Sequence, residues 1–437
     1  MVERTFPRGG GLIPENKRAT DWRAIEVMPA PSIVVIPLRQ HIGAICEPIV
    51  SVGDRVKMGQ KIGEGTAFIS ASVHASVSGE VIAVEERPLF SGEKVLSVVI
   101  KNDGLDEKID GKRAGDINKM SPSAICTAVK EAGIVGMGGA GFPTHVKLNP
   151  PKPVDTVLIN GAECEPYLTC DHRLMVEWAD EMIGGLKAMM RASGAAKGII
   201  CIEENKPDAI AVVSQVIEGE EDLEVASLQV RYPQGAEKQL IKAVLDREVP
   251  SGGLPADVGC VVQNVHTAIA VYEALTQGKS SYERVVTVSG GAILDPRNLL
   301  VRVGTPIQNI IEYCGGFMGE PAAIVAGGPM TGQPVVDLLG PVTKAFSGVL
   351  GLNAQEAAFD ENRPCIRCTL CVQVCPMGLV PNLLGEYSAK GLLDQAEEKL
   401  NIWDCIECSL CSYVCPSKRA LVTWIKQGKA GLREKVS

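Results

Sequence analysis

Between residues 33 and 101 the chain alternates short Val/Ile-rich runs with Gly, Asp and Ser: IVVIPLRQHIGAICEPIVSVGDRVKMGQKIGE, then FISASVHASVSGEVIAVE. Runs this short, broken by Gly-Asp and Ser-Gly turns, predict β-strands closed into a small barrel or sandwich. The texture changes near residue 121. Ser121-Pro122 predicts a helix N-cap with proline at the first helical position, and the helix runs to Gly133. Apolar strands then alternate with amphipathic helices: strands over 154–160, 198–204 and 224–230, helices near 171–192 and 207–218 and from about 236 to 246. That alternation predicts an α/β domain with a largely parallel sheet. Residues 285–330 revert to short strands plus one helix, a compact β-grasp-like unit, and 340–363 read as a linker. The spacer after Cys375 holds helix formers (LLGEYSAKGLLDQAEEKLN), so the last segment is expected to be helical.

Composition narrows the class. A chain of 437 residues with 46% hydrophobic and 22% charged residues reads as a soluble, multidomain globular protein. Its apolar stretches fall short of the ~20 residues that span a bilayer. MVERTFPRGGGLIPENKR has no apolar core of a signal peptide, so none is expected. Fifteen cysteines then imply a reducing compartment, the cytoplasm. A net charge of −9, with only seven Phe and seven Tyr, argues against general nucleic-acid binding. Beyond Pro416, Lys418, Arg419, Lys426, Lys429, Arg433 and Lys435 face Glu434 alone. This tail reads either as a face for an anionic membrane or partner, or as a solvated basic helix.

Eight cysteines carry a stronger message. Cys365, Cys368, Cys371 and Cys375-Pro376, and again Cys405, Cys408, Cys411 and Cys415-Pro416, both follow C-x2-C-x2-C-x3-C-P. This is the bacterial ferredoxin spacing for a pair of cubane iron–sulfur clusters, in which the fourth Cys of each run serves the other cluster. One cluster is therefore assigned to Cys365, Cys368, Cys371 and Cys415, and the second to Cys405, Cys408, Cys411 and Cys375. Zinc is the weaker reading, because four-thiol zinc sites do not need this ending. Disulfides fit C-x2-C spacing worse still. The other seven cysteines (Cys46, Cys126, Cys164, Cys170, Cys201, Cys260, Cys314) read as ordinary buried thiols.

Two further motifs sit in the α/β segment. Gly136, Gly138, Gly139 and Gly141 satisfy G-x-G-x-x-G, yet a helix precedes the loop and Phe142-Pro143 follows it, which is the wrong context for a dinucleotide fold. Two readings stand: successive backbone N–H groups that hold a phosphate or flavin edge, or a tight turn with no ligand. Asn160-Gly161-Ala162-Glu163-Cys164-Glu165-Pro166 follows a predicted strand, where ligands of open α/β sheets lie; its carboxylates read as ligand contacts or as a capping cluster. Cys164 has only His172 nearby in sequence, which is thin support for thiol catalysis. In the barrel, Val52-Gly53-Asp54-Arg55-Val56-Lys57-Met58-Gly59-Gln60 is similar to the turn of lipoyl and biotinyl carrier domains. No Lys stands at the expected hairpin tip, His74 to Gly79, so a structural or docking module is expected.

Taken together, the glycine loop, the Asn160–Pro166 turn and the double cysteine run resemble the RnfC family, which serves the Rnf complex, the membrane-bound, ion-translocating ferredoxin:NAD+ oxidoreductase. The resemblance runs from Pro14-Glu15-Asn16-Lys17 and Gln40-His41-Ile42-Gly43 to the C-terminal cysteines. The middle is similar to the flavoprotein subunit of respiratory complex I, whose Gly-Gly-Ala-Gly-Phe-Pro-Thr loop holds FMN. There Lys147 matches a flavin-contacting Lys, Asn160 a flavin-contacting Asn, and Glu163 and Glu165 the acidic turn beside the nicotinamide. Tyr232 to Glu237 and Val262 to Thr267 are similar to two more of its segments. Ala162, Ala236, Gln263 and Leu148 depart from that pattern, as does the two-cluster ending.

The resemblance implies a multidomain α/β chain: an N-terminal arm and barrel-sandwich module (1–120), a Rossmann-like FMN/NAD(H)-binding α/β domain (121–280), a β-grasp-like SLBB domain (281–339), a linker (340–363) and a helical ferredoxin-type domain with two [4Fe-4S] clusters and a basic tail (364–437). It implies FMN held by Gly136, Gly138, Gly139, Gly141, Lys147, Asn160 and Asn264, with Phe142, Glu163, Glu165 and Glu237 toward NAD(H), and no general base. The implied function is exchange of hydride between NAD(H) and FMN and of single electrons between FMN and the clusters, in a peripheral translocase subunit on the cytoplasmic face of the cell membrane. Its partners would be the membrane and iron–sulfur subunits of the complex and, indirectly, ferredoxin. A soluble relative that reduces cobalamin or feeds an amino-acid reductase is the alternative; domain order, barrel first and clusters last, favours Rnf. A third reading is a wiring scaffold with clusters and no flavin.

Overall fold

The computed structural model describes residues 4–111, 116–357 and 361–436. Residues 33–102 form two small facing sheets. One is ordered Ile33–Pro37, Lys94–Asn102, Gly79–Pro88, Arg55–Val56, and the other Glu47–Pro48, Lys61–Glu64, Val73–His74. Val34, Ile36, Ile62, Val73, Val81, Val98 and Ile100 fill the space between them. The stretch expected as a hairpin tip behaves differently. His74 to Gly79 is buried throughout, most of its side chains (Ala75, Ser76, Ser78, with Gly79) being small enough to pass through the interior beside His74 and Val77. Lys344 Nζ, itself buried, donates to Ser72 O and Gly133 O at 2.7 Å each and so ties the barrel to the next domain.

That domain is built on a four-stranded sheet, parallel throughout, in the order Leu223–Leu228, Lys197–Glu203, Thr156–Gly161, Cys260–Asn264. Its first helix, Pro122–Glu131, starts as expected: Ser121 Oγ accepts from Ala124 N. The single helix expected near 171–192 is two, Cys170–Glu177 and Ala179–Ser193, with Trp178 at φ −129° and ψ 40° between them. The apolar pattern crosses this break unchanged, so the sequence carries no trace of it. The break aims the second helix along Val265–Gln277, and a Cβ on Gly185 would stand 1.9 Å from Ala268 O.

A six-stranded mixed sheet follows, ordered Glu26–Val27, Arg297–Arg302, Glu283–Ser289, Gly348–Leu352, Ala323–Ala326, Gln333–Pro334. Two of its strands come from outside the β-grasp-like segment. Glu26–Val27 belongs to the N-terminal arm. Gly348–Leu352 lies in the stretch expected as linker, where it is fully buried and pairs with strands on both sides. Its Gly-Val-Leu-Gly-Leu composition is too glycine-rich to read as a strand, yet a Cβ on Gly348 would stand 2.5 Å from Thr287 O. Residues 358–360 of the expected linker lie outside the described residues.

The C-terminal segment is helical. Two four-residue helices, Leu370–Gln373 and Leu410–Tyr413, each follow two cysteines and carry the third, and Pro381–Ala389, Leu393–Leu400 and Leu421–Val436 wrap them.

Candidate functional site

From the strand Thr156–Gly161 the chain moves outward twice, to Lys197–Glu203 and Leu223–Leu228, then crosses back to place Cys260–Asn264 on the other flank. The carboxyl ends of Thr156–Gly161 and Cys260–Asn264 therefore bound a topological switch point, where open α/β sheets bind ligands. Asn160 and Asn264 stand there in register. Asn264 caps the helix Val265–Gln277, its Oδ1 accepting from His266 N and Thr267 N, while Nδ2 donates to Asp171 Oδ2 at 2.6 Å. Asn160 Nδ2 donates to Gly235 O at 2.8 Å.

The glycine loop lies over Asn264. A Cβ on Gly138 would stand 2.9 Å from Asn264 Nδ2, whereas nothing lies within 4 Å of a Cβ on Gly139. Gly138, Gly139 and Ala140 are exposed. The loop is closed by Gly136 N donating to Phe142 O at 2.8 Å and anchored by Met137 N donating to Thr267 Oγ1 at 3.0 Å. Behind it, Arg284 is fully buried and donates to Met137 O at 2.9 Å. Gly141, at φ +71°, rests against Gln40 and His41 of the barrel. Lys147 Nζ, just after the loop, pairs with Glu237 Oε1 at 2.9 Å and Val262 O at 3.1 Å. A backbone cradle open at Gly139, with a cation and two carboxamides around it, suits a phosphorylated flavin.

The two carboxylates of the acidic turn diverge. Glu163 accepts from Asp171 N and His172 N, capping the helix Cys170–Glu177. Glu165 turns toward the β-grasp-like segment, where Met330 N and Thr331 Oγ1 donate to it, and burial raises its pKa. Asp171, fully buried with Oδ1 unpartnered, has its pKa pushed up to about 7 by desolvation and by Glu163. His172 pairs with Asp208 at 2.7 Å, so it does not serve Cys164. Burial pushes the Cys164 thiol up, as it does those of Cys46, Cys126, Cys170, Cys201, Cys260 and Cys314.

Two determinants were missed from sequence. Lys17 of the N-terminal arm is buried and donates to Glu163 O, Glu165 O and Leu168 O at 2.9, 2.8 and 2.5 Å, holding the turn from beneath. Tyr232 donates its hydroxyl to Cys408 O at 2.9 Å, bridging this domain to the cysteine loops. Lys17 stood within the Pro14 to Lys17 stretch that carries part of the resemblance, but nothing local in that polar arm marks it as buried or gives it this role.

The cysteines divide into two cavities. Cys365, Cys368, Cys371 and Cys415 line one, and Cys375, Cys405, Cys408 and Cys411 the other. Arg367 and Thr369 in one run, and Glu407 and Ser409 in the other, repeat the same left-handed backbone, with φ of 57° and 63° in each case. Such conformations are costly for residues with a Cβ, so their repetition shows two loops built to one shape. Cys371 and Cys411 pack together with Leu421 between the cavities. Cys365 and Cys368 are exposed, whereas the second group is half-buried or buried. Part of the basic tail is engaged locally: Lys429 with Glu407 and Cys405 O, Lys435 with Asp394, Arg419 over Trp424 and Arg433 over Trp403.

Comparison with known proteins finds four domain types in the expected order. Residues 5–105 match the RnfC barrel sandwich hybrid domain, 129–273 the Nuo51 FMN-binding domain, 285–334 the SLBB domain and 364–420 the 4Fe-4S dicluster domain. A subunit of the Na(+)-translocating ferredoxin:NAD(+) oxidoreductase complex of Acetobacterium woodii is 50% identical over 97% of this chain and 96% of its own length. The chain belongs to the RnfC family. The counterpart from the proton-translocating complex of Clostridium ljungdahlii is 47% identical over 98% of this chain and 95% of its own. A chain of the NAD+-reducing [NiFe]-hydrogenase shares the fold with a TM-score of 0.52 and 20% identity, over 74% of this chain and 67% of that one. As an RnfC protein the chain carries an FMN-binding domain and a domain for two [4Fe-4S] clusters. Among the described residues no helix is long and apolar enough to cross a membrane.

Proposed function

We propose that this RnfC chain is the NAD(H)-reactive subunit of a membrane-bound, ion-translocating ferredoxin:NAD+ oxidoreductase, and that its own residues order the cofactors from flavin to second cluster to first. The observation that carries this order is the Tyr232 to Cys408 hydrogen bond. It sets the second cysteine group against the flavin domain while Cys365 and Cys368 of the first remain exposed. Bound FMN would exchange a hydride with NAD(H) and single electrons with the clusters.

The chain's part is placement. Gly136, Gly138, Gly139 and Gly141 would offer backbone N–H groups to a bound FMN, with Lys147, Asn160 and Asn264 supplying a cation and two carboxamides to hold it. The Lys147 ammonium favours negative charge on the flavin ring. Phe142 and Glu237 border the side open to NAD(H), and Glu163 and Glu165, fastened by Lys17, shape the turn beneath it. Cys365, Cys368, Cys371 and Cys415 hold the first cluster, and Cys375, Cys405, Cys408 and Cys411 the second. The first faces the membrane and iron–sulfur subunits of the complex on the cytoplasmic side, and ferredoxin reaches it through them.

Anaerobic reconstitution with iron, sulfide and FMN tests the reading: NADH should bleach the flavin and then reduce both clusters. Reduction by dithionite but not by NADH would overturn it.

A further inference from the structure

A segment that the cofactor chemistry does not use lies between the flavin domain and the cysteine group assigned to the second cluster, where it meets Val374 and Cys375 at the end of the first run. Residues 4–17 cross the junction as an irregular ribbon, bent at Gly9 and Gly10, and fixed to the flavin domain at both ends. Upstream, Arg4 bridges to Leu228, Thr5 Oγ1 donates to Gln234 Oε1 at 2.9 Å, and Phe6 is buried under Arg231, whose guanidinium donates to Phe6 O at 2.8 Å. Downstream, Glu15 O accepts from Tyr167 N at 2.8 Å and Lys17 holds its three carbonyls.

Between these anchors stand three glycines. Gly11 and Tyr232 exchange both backbone hydrogen bonds at 2.9 Å, and Gly10 N donates to Val374 O at 2.9 Å. Gly9, at φ +63°, lies directly on the backbone of Cys375, the fourth ligand assigned to the second cluster. A Cβ there would stand 2.6 Å from both Cys375 C and Cys375 O and 2.7 Å from Val374 O. Backbone cannot yield as a flexible side chain does, and the ribbon is pinned to the flavin domain on either side. Bulk at Gly9 is therefore relieved by moving the cysteine loop.

We propose that Gly9, Gly10 and Gly11 are positioning residues that set the separation between the flavin and the second cluster. The ribbon's backbone bonds reach both sides, two to Tyr232 and one to Val374, and so join backbone to backbone across a junction otherwise bridged by side chains, Tyr232 to Cys408, Gln239 to Met377 and Ser251 to Asp404. The inference rests on the flavin-to-second-cluster order proposed above. Electron transfer falls steeply with separation, so a displaced loop slows that step and spares hydride transfer.

Anaerobic stopped-flow mixing with NADH separates the two, flavin bleaching being read apart from loss of cluster absorbance. Gly9→Val should keep its iron and flavin content, its bleaching rate and its reduction by dithionite. Its NADH-driven cluster reduction should slow roughly tenfold or more, since small misplacements of reacting groups carry penalties of that size. Leu12→Ala, in the same arm and 83% exposed, should match the wild type. Wild-type cluster reduction rates in Gly9→Val at full iron content would overturn the proposal. If Gly9→Val loses iron, the smaller Gly9→Ala decides on the same criterion; if it too loses iron, the loop needs the glycine for cluster retention and the distance-setting role is rejected. Failure of NADH to bleach the wild-type flavin would instead sink the functional reading itself.

Discussion

Asn160 and Asn264 stand opposite each other at the carboxyl ends of adjacent parallel strands, and only Asn264 also caps a helix. Replacing Asn264 by Ala removes the cap and the donor to Asp171, while Gly138 loses the surface it packs on. The expected outcome is a loss of about 1–2 kcal/mol of stability together with lower FMN content per chain. Denaturant unfolding and flavin absorbance after gel filtration report the two. Full flavin retention would remove Asn264 from the site.

Lys147 and Glu237 form a pair whose two halves predict opposite effects. Lys147→Ala should lower flavin retention and slow NADH-driven bleaching, because the cation beside the loop is lost. Glu237→Gln frees the ammonium from its 2.9 Å partner, so flavin should be retained at least as well, with any defect confined to the NADH concentration dependence. Equal behaviour of the two variants in both assays would show that Lys147 acts only as half of a surface ion pair.

Asp171 supplies a pH test. Folded, it keeps its proton up to about pH 7; its ordinary value is 3.8. Between those values the folded chain binds more protons than the unfolded one, so stability falls as pH rises through this window. Asp171→Asn cannot titrate and still accepts from Asn264. It should raise the melting temperature at pH 8 relative to wild type by more than at pH 5. A shift independent of pH would contradict the buried, protonated carboxyl.

The crossed assignment of cysteines is separable by spectroscopy. Cys375 belongs by sequence to the first run and by cavity to the second group. Cys375→Ser should leave about half the iron and perturb the same cluster signal as Cys408→Ser, while Cys415→Ser perturbs the other. Matching spectra for Cys375→Ser and Cys368→Ser would reverse the assignment.

Much of this was legible along the chain. Cysteine spacing is a local covalent property, so both runs could be read without a fold, and the α/β alternation survived because its periods are local too. Asn160 could be placed at a strand end for the same reason, whereas the strand Cys260–Asn264 was not expected and Asn264 entered only through the resemblance of Val262 to Thr267. The linker strand Gly348–Leu352 could not, because its stability comes from two neighbours far away in sequence and not from its own glycine-rich composition. Nor could the break at Trp178, which the packing of helix on helix imposes across an uninterrupted apolar pattern.

The sequence by itself determined the iron–sulfur class, which is written in cysteine spacing, and through family resemblance the flavin and the order of domains. Only the tertiary structure decided how those parts meet. Lys17 reaches across to fasten Glu163 and Glu165, and those two carboxylates, two residues apart, turn to different elements. Gly9 comes to lie on Cys375. These are contacts between segments far apart in the chain, chosen by which surfaces bury together and which backbone groups then need partners, and no local pattern records them.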